Sequence, residues 1–240
     1  MHLRELVLRN YRNYEHLELS FPSDLIFLVG KNAQGKTNII ESIFLSCTGR
    51  SHRTSRDREL IRWDKEEALV RTKIDKLMGA GSIDIVLSSH EKKKIRINGG
   101  PVHRLGELMG HLNSVIFSPE DLKLIREGPS ERRRFMDMEL SQIRPKYFYY
   151  LQQYNRILNQ RNNLLKEIQK KPSLAKTLPV WDQQMAEAGS FLIQQRQIFN
   201  VSLQNIAREI HRSLSYGAEE LSVVYRPSIP CQSDGLKEIQ

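Results

Sequence analysis

The sequence predicts an α/β fold in two parts: a head of short strands built around a phosphate-binding loop, then an α-helical hairpin arm. Three observations predict it. Up to about residue 120 the apolar residues alternate or cluster in short blocks, the signature of strands. A glycine-rich loop, Gly30 to Thr37, joins one such block, "LIFLV" at 25–29, to a helical pattern. Beyond about residue 120 the period changes to 3.6, and the apolar stripes become much longer.

Residues 2–9 and 16–21 alternate polar and apolar and read as two half-buried strands around a turn at 10–14. "LIFLV" is apolar throughout, the pattern of a strand buried on both faces. Ile39, Ile40, Ile43 and Phe44 then recur at helical spacing. Residues 68–74, 82–88 and 93–99 read as further short strands, with Asn98-Gly99-Gly100 as a turn signal. "SVIF" at 114–117 reads as another buried strand, stopped by Pro119.

In the arm, Leu151, Tyr154, Leu158, Leu165 and Ile168 fall on one helical face. Trp181, Met185, Ala188, Leu192, Phe199, Ile206, Ile210 and Leu214 do the same over 180–214, a helix of roughly 50 Å at about 1.5 Å per residue. Pro172 and Pro179 stop the first helix and help start the second. Such stripes predict the seam of an antiparallel hairpin. "LSVVYRP" at 221–227 reads as a strand returning to the head. The expected division is therefore head 1–120, arm 121–218 and returning segment 219–240.

Composition narrows the class. Hydrophobic residues at 39% and charged residues at 27% fit a soluble globular chain. No apolar stretch approaches the roughly eighteen residues of a membrane span, and "MHLRELVLRNYRNYE" carries charges where a signal peptide needs an apolar core. A cytoplasmic protein is expected. Cys47 and Cys231 stand far apart without CxxC, and the seven histidines lack ligand spacing, so neither a disulfide scaffold nor a zinc site is indicated. A net charge of +9 favours polyanions, nucleic acid before acidic membrane.

Gly30-Lys31-Asn32-Ala33-Gln34-Gly35-Lys36-Thr37 fits G-x-x-x-x-G-K-[ST] without mismatch. The glycines let successive N–H groups turn inward toward phosphate oxygens. Lys36 adds a point charge near the β and γ phosphates, and Thr37 offers its hydroxyl to magnesium. The helix that follows aims its positive end at the anion. Two rival uses of such a cradle fare poorly. "TKID" at 72–75 superficially resembles a guanine-reading loop but lies within a strand pattern, and no D-x-x-G follows the cradle. "ERRRF" at 131–135 leads into long helices rather than a short kinase lid.

Beyond the cradle, "NYRNYEHLELSFPSDLIFLVGKNAQGKTNIIESI", "GRSHRTSRDRELIRW" at 49–63 and "PEDLKLIREGPSERRRFMD" at 119–137 resemble the RecF family at consistent spacing over nearly all of the chain. These are bacterial recombination mediators related to SMC proteins and ABC ATPases. The resemblance implies a P-loop ABC-type ATPase head, here incomplete, with an α-helical hairpin arm. It implies ATP and Mg as ligands and an ATP-dependent homodimer in the full-length protein. It further implies DNA binding, and action with RecR and RecO in gap repair, replication restart and the SOS response. On that pattern Arg12 and Asn13 approach the nucleotide, and Thr54 lies near the base or ribose.

Two parts of an ABC-type site are not found: an apolar strand ending in Asp-Glu, and an LSGGQ-like helix start. "VIFSPED" at 115–121 is interrupted by Ser118-Pro119, and Asp84 lies inside its strand. In RecF both parts lie in the C-terminal portion, so a truncated chain that binds ATP but hardly hydrolyses it is expected. Positive charge concentrates at Arg53, Arg56 and Arg58, at Lys92, Lys93 and Lys94, and at Arg132 and Arg133. These are candidates for DNA backbone contacts, double-stranded or junction, without sequence readout. The alternative is a nucleotide-dependent protein-interaction module that does not bind DNA directly.

Overall fold

The computed structural model describes residues 1–76 and 79–229. It falls into two compact units, Met1–Arg126 and Glu127–Gln240, each described by itself. Among the described residues no helix is long and apolar enough to cross a membrane.

Alternation in the first hundred residues produces one antiparallel sheet. Its strands are β1 (His2–Tyr11), β2 (Tyr14–Ser20), β3 (Glu67–Lys76), β4 (Gly79–Ser88), β5 (Lys94–Ile97) and β6 (Gly100–Val102). They lie in the order β2-β1-β3-β4-β5-β6. The register sets one apolar row across all six: Leu17 opposite Leu8, then Val70, Ile85, Ile95 and Val102. Leu8, Val70 and Ile85 are fully buried in that row. Asn98 (φ 51°) and Gly99 (φ 81°) form the two-residue turn between β5 and β6, both in the left-handed region that such hairpins require. The short strand β6 lies just past the turn that the sequence signalled. Helix α1 (Lys36–Thr48) supplies Ile39, Leu45 and Cys47 to the same core.

Two expected strands do not form. Residues 25–29 and 114–117 carry no strand pairing, although both are apolar. Phe27 is 78% exposed and Val29 92%; Val115 is 81% exposed and Phe117 86%. Of 25–29 only Leu28 is not exposed, and it packs on the sheet core; of 114–117, Ser114 and Ile116 are half-buried. The sequence supplied the apolar side chains, but among the described residues no neighbouring strand takes up their backbone groups.

A single helical turn, α2 (Lys123–Arg126), ends the first unit. The second is helical: α3 (Pro129–Ile143), α4 (Pro145–Ile168) and α5 (Leu178–Leu214), each with proline in its first turn, where a missing N–H costs nothing. Leu140, Tyr147 and Leu192 form the buried centre, with Tyr150, Leu151, Tyr154, Phe191 and Phe199 around it. Arg196 on α5 donates to Asp137 on α3 at 2.7 Å, and the Tyr147 hydroxyl donates to the same carboxylate. The hairpin seam is therefore real over its first half. It does not extend to Ile206, Ile210 and Leu214, which are all more than half exposed.

Residues 221–227 are not a strand and do not leave the second unit. Their backbone is held along α5 by side-chain amides: Asn200 Nδ2 donates to the Val223 carbonyl at 3.0 Å, and Gln204 Nε2 to that of Leu221 at 3.1 Å. The division between units falls after Arg126 rather than after residue 120. The remainder of the returning segment, 230–240 with Cys231, lies outside the described residues.

Candidate nucleotide site

Residues 30–37 form the loop that the motif predicts. Gly35 stands at φ 96°, and a Cβ there would lie 2.6 Å from the Asn13 side chain and 2.7 Å from the Tyr14 hydroxyl. Glycine is thus required twice over, by dihedral and by space. Lys36 Nζ donates to the carbonyls of Gly30 at 2.6 Å and Lys31 at 2.7 Å, so the ammonium lies inside the curl of the loop. No side chain caps the start of α1, and no acid sits in its first turn. That leaves the positive end of the helix for an anion. Thr37 is the second residue of α1 and is exposed.

The turn between β1 and β2 packs on this loop. Asn13 Nδ2 and the Tyr14 hydroxyl each donate to the Gln34 carbonyl at 3.3 Å. Asn38, one residue past Thr37, donates to Asn13 Oδ1 at 2.8 Å. Arg12 and Asn13 are therefore brought to the loop, and a third segment, 51–63, joins them.

Glu41 connects all three segments. Its side chain is completely buried, yet it accepts from Arg12 Nε at 2.9 Å, Arg12 Nη2 at 2.7 Å, the Ser51 hydroxyl and Arg53 Nη1 at 3.4 Å. Burial by itself would raise its pKa. The hydrogen bonds from Arg12 and Ser51, with the charges of Arg12 and Arg53, outweigh that and hold the carboxyl below its usual range. Glu41 in turn keeps Arg12 protonated against burial. Arg53 also donates to Asn38 Oδ1 at 3.0 Å, and Arg12 Nη1 to the Glu59 carbonyl at 2.8 Å. Between these segments lies a cavity of about 320 Å³, bounded by Arg12, Asn13, Asn38, Arg53 and Glu59, with Ile61 and Trp63 as its apolar wall. Thr54 does not line it; its hydroxyl donates to Glu59 Oε2 at 2.7 Å and steadies that wall.

Glu41, Asn38, Ser51, Glu59 and Trp63 were not singled out in the sequence. Glu41 had one readable signal: an acid between Ile40 and Ile43, on a helix whose other inward positions are mostly apolar or small.

The acids considered for metal or hydrolysis are otherwise engaged. Asp84 accepts from Arg71 Nε at 2.8 Å and Nη2 at 2.9 Å. Asp121 caps its own turn, accepting from the Ser118 hydroxyl at 3.0 Å. Among the described residues no group of three or more His, Cys, Asp or Glu gathers as a metal site. Cys47 is buried, and burial pushes its thiol up to about 11.

Of the basic candidates, Arg53, Arg56 and Arg58 share the first unit with Lys92, Lys93 and Lys94, and the two segments touch where Lys93 Nζ meets Asp57 Oδ2 at 3.0 Å. Arg56 pairs with Glu59 at 3.8 Å and Lys94 with Glu91 at 2.6 Å. Arg132 and Arg133 belong to the second unit and are exposed on α3, where Arg132 Nη1 reaches the Glu127 carbonyl at 2.9 Å.

A P-loop on an uncapped helix, braced by an arginine-carboxylate node, has counterparts among known proteins. The family model described as "AAA domain" matches residues 5–216. The chain belongs to that family. Within it the resemblance to RecF holds. The chain is 47% identical over 229 residues to the DNA replication and repair protein RecF of Alkaliphilus oremlandii, covering 95% of this chain and 62% of that one. It is 48% identical to RecF of Lachnoclostridium phytofermentans, covering 64% of it. Among solved structures it resembles the recombination mediator protein RecF-ATP of the RecFOR pathway, with a TM-score of 0.88 and 35% identity. That match covers 99% of this chain and 62% of the other. The chain thus spans about three-fifths of the length of these RecF relatives. Its fold class is that of a P-loop ATPase head with a helical arm.

Proposed function

We propose that this chain is the nucleotide-gripping part of a RecF-type recombination mediator. It binds ATP with magnesium at residues 30–37 and contacts DNA backbone through its basic surface, in concert with RecR and RecO. The observation that carries the reading is the loop itself: Gly35 in a conformation and a space that exclude a side chain, and Lys36 Nζ curled onto the loop carbonyls. Lys36, the amides of 30–37 and the start of α1 would hold the triphosphate, and Thr37 would ligate the magnesium. Magnesium bridges phosphate oxygens and offsets their charge when bound. Arg12 and Asn13 shape the wall beside it, and Arg53 belongs to the same wall as well as to the basic surface.

Hydrolysis is a different matter. The acids placed beside the loop are engaged, Glu41 with Arg12, Ser51 and Arg53, and Glu59 with Thr54 and Arg56, so this chain alone is expected to turn over ATP negligibly. A partner head and the further RecF length, with its Asp-Glu strand and signature helix, complete the site and the ATP-dependent dimer. The exposed apolar residues of 25–29 and 114–117 support this, since they are faces that further strands would cover.

The test is titration of the 240-residue chain with ATP and magnesium. Lys36→Ala lowers affinity by at least about tenfold, because a charge-assisted contact to phosphate is lost. Unchanged affinity, or turnover matching a full-length RecF, overturns the reading. Binding to double-stranded DNA should weaken steeply between low and moderate salt. Salt-independent or undetectable binding would favour the protein-interaction module, for which exposed Ile206, Ile210 and Leu214 on α5 offer a surface.

A further inference from the structure

We propose that Trp63 stacks on the base of the nucleotide whose phosphates residues 30–37 hold, an inference that rests on that reading of the loop. Trp63 is 89% exposed, and it lines the cavity that opens beside the P-loop. Tryptophan placed so openly gives up a large apolar burial, so a planar ligand that restores it is favoured there. The cavity and the loop share a residue: Asn13 lines the one and donates to the Gln34 carbonyl of the other. The cavity therefore adjoins the loop through Asn13.

The indole is carried on a braced segment. Tyr11 and Ile61 form an isolated β-bridge. Arg62 N–H donates to the Asn10 carbonyl at 2.7 Å, and Arg62 Nη1 to that of Asn13 at 2.6 Å. Position 63 is thereby tied to the same β1–β2 turn that packs on the loop, so the distance from stacking surface to phosphate cradle is set by the fold. The rest of the lining is mostly polar. Arg12 is committed to Glu41 and the Glu59 carbonyl, whereas Asn13, Asn38 and Arg53 form a chain of hydrogen bonds along the lining, and the donors and acceptors they do not use on one another would meet the hydroxyls of a ribose. One apolar aromatic wall and one hydrogen-bonding wall beside a phosphate loop match the three chemical parts of a nucleoside triphosphate. Stacking is tolerant of base identity, because every base has a π-face. Trp63 therefore supplies affinity for a base of any kind, and preference among bases must come from elsewhere.

The experiment compares ATP with inorganic tripolyphosphate, which has the charge and no base. The chain has two tryptophans, so in a Trp181→Phe background Trp63 is the sole indole reporter. ATP with magnesium should change its emission and tripolyphosphate should not. By calorimetry, Trp63→Ala should lose about tenfold in ATP affinity, within the range of a single base–aromatic stack, and leave tripolyphosphate binding unchanged. Trp63→Phe should recover most of the loss. Equal ATP affinity in Trp63→Ala, or an equal emission change with both ligands, overturns the stacking while leaving the phosphate loop intact. If neither ligand binds the unaltered chain, the loop reading fails and the stacking falls with it.

Discussion

Ile83, Ile85 and Leu87 on β4 are completely buried, whereas Phe27 and Val29, in a run at least as apolar, are 78% and 92% exposed. Both stretches lie in the first unit, and both read as strands from their residues. The difference is the neighbours. β4 has β3 on one side and β5 on the other, and their N–H and C=O groups complete its ladder. Among the described residues no strand lies on either side of 25–29, and residues 114–117 share that condition. An apolar sequence specifies what a strand would bury, but pairing decides whether a strand exists. The P-loop sits at the border between the two conditions. The helix that leaves it is packed into the closed core, and the run that enters it is uncovered.

The sharpest way to break this comparison is to truncate both sides of it. Ile85→Ala removes three buried carbons from the middle of the six-strand row, and should cost roughly 2–5 kcal/mol in urea unfolding. A loss below about 0.5 kcal/mol would mean that the sheet is no better closed than the run at 25–29.

The next effect comes from the node behind the loop. Glu41→Ala leaves the guanidinium groups of Arg12 and Arg53 without their buried carboxylate. Loss of one member of a buried pair costs about 3–5 kcal/mol, and the partial exposure of both arginines brings this to about 2–3 kcal/mol. The pH dependence has a definite sign. Glu41 titrates below its ordinary value of 4.5 in the folded chain, so its contribution is present above that value. It is lost as pH falls through the lower folded value. The stability gap between the unaltered chain and Glu41→Gln should therefore be constant near neutrality and narrow in acid. A gap that widened on acidification would show that Glu41 is not held ionised by Arg12.

Much of this was legible beforehand, for reasons that differ by residue. Gly35 and Lys36 were readable because a phosphate loop fixes both residue type and spacing. The β3, β4 and β5 segments were readable because alternation survives in a sheet with one buried face, and Asn98-Gly99 because few other pairs accept two positive φ angles. Arg12 and Asn13 came from family resemblance, and the structure adds their partners. Glu41 showed in the sequence only as an acid among apolar neighbours, and its role was not legible, since that depends on Ser51 and Arg53 arriving from ten residues and more downstream. The run at 221–227 misled because alternation cannot distinguish a strand from an extended segment satisfied by the Asn200 and Gln204 side chains. The stripe on α5 predicted a seam to Leu214, but only its first half meets α3 and α4.

The smallest expected effect is also the most telling. Phe27→Ser replaces a large apolar side chain, and on composition alone it resembles a core truncation. Because Phe27 is mostly in water here, the substitution should change the stability of this chain by less than about 0.5 kcal/mol. Self-association should fall at the same time, since one of the exposed apolar faces becomes polar; sedimentation at several concentrations reads this directly. The matching substitution in a full-length RecF should behave differently. There a strand laid against the run would bury the phenyl ring, and serine would cost about 3 kcal/mol or more, as core aromatic truncations do. Equal and negligible costs in both chains would mean that the run stays open in the longer protein as well, and the proposal that further RecF strands cover it would fail.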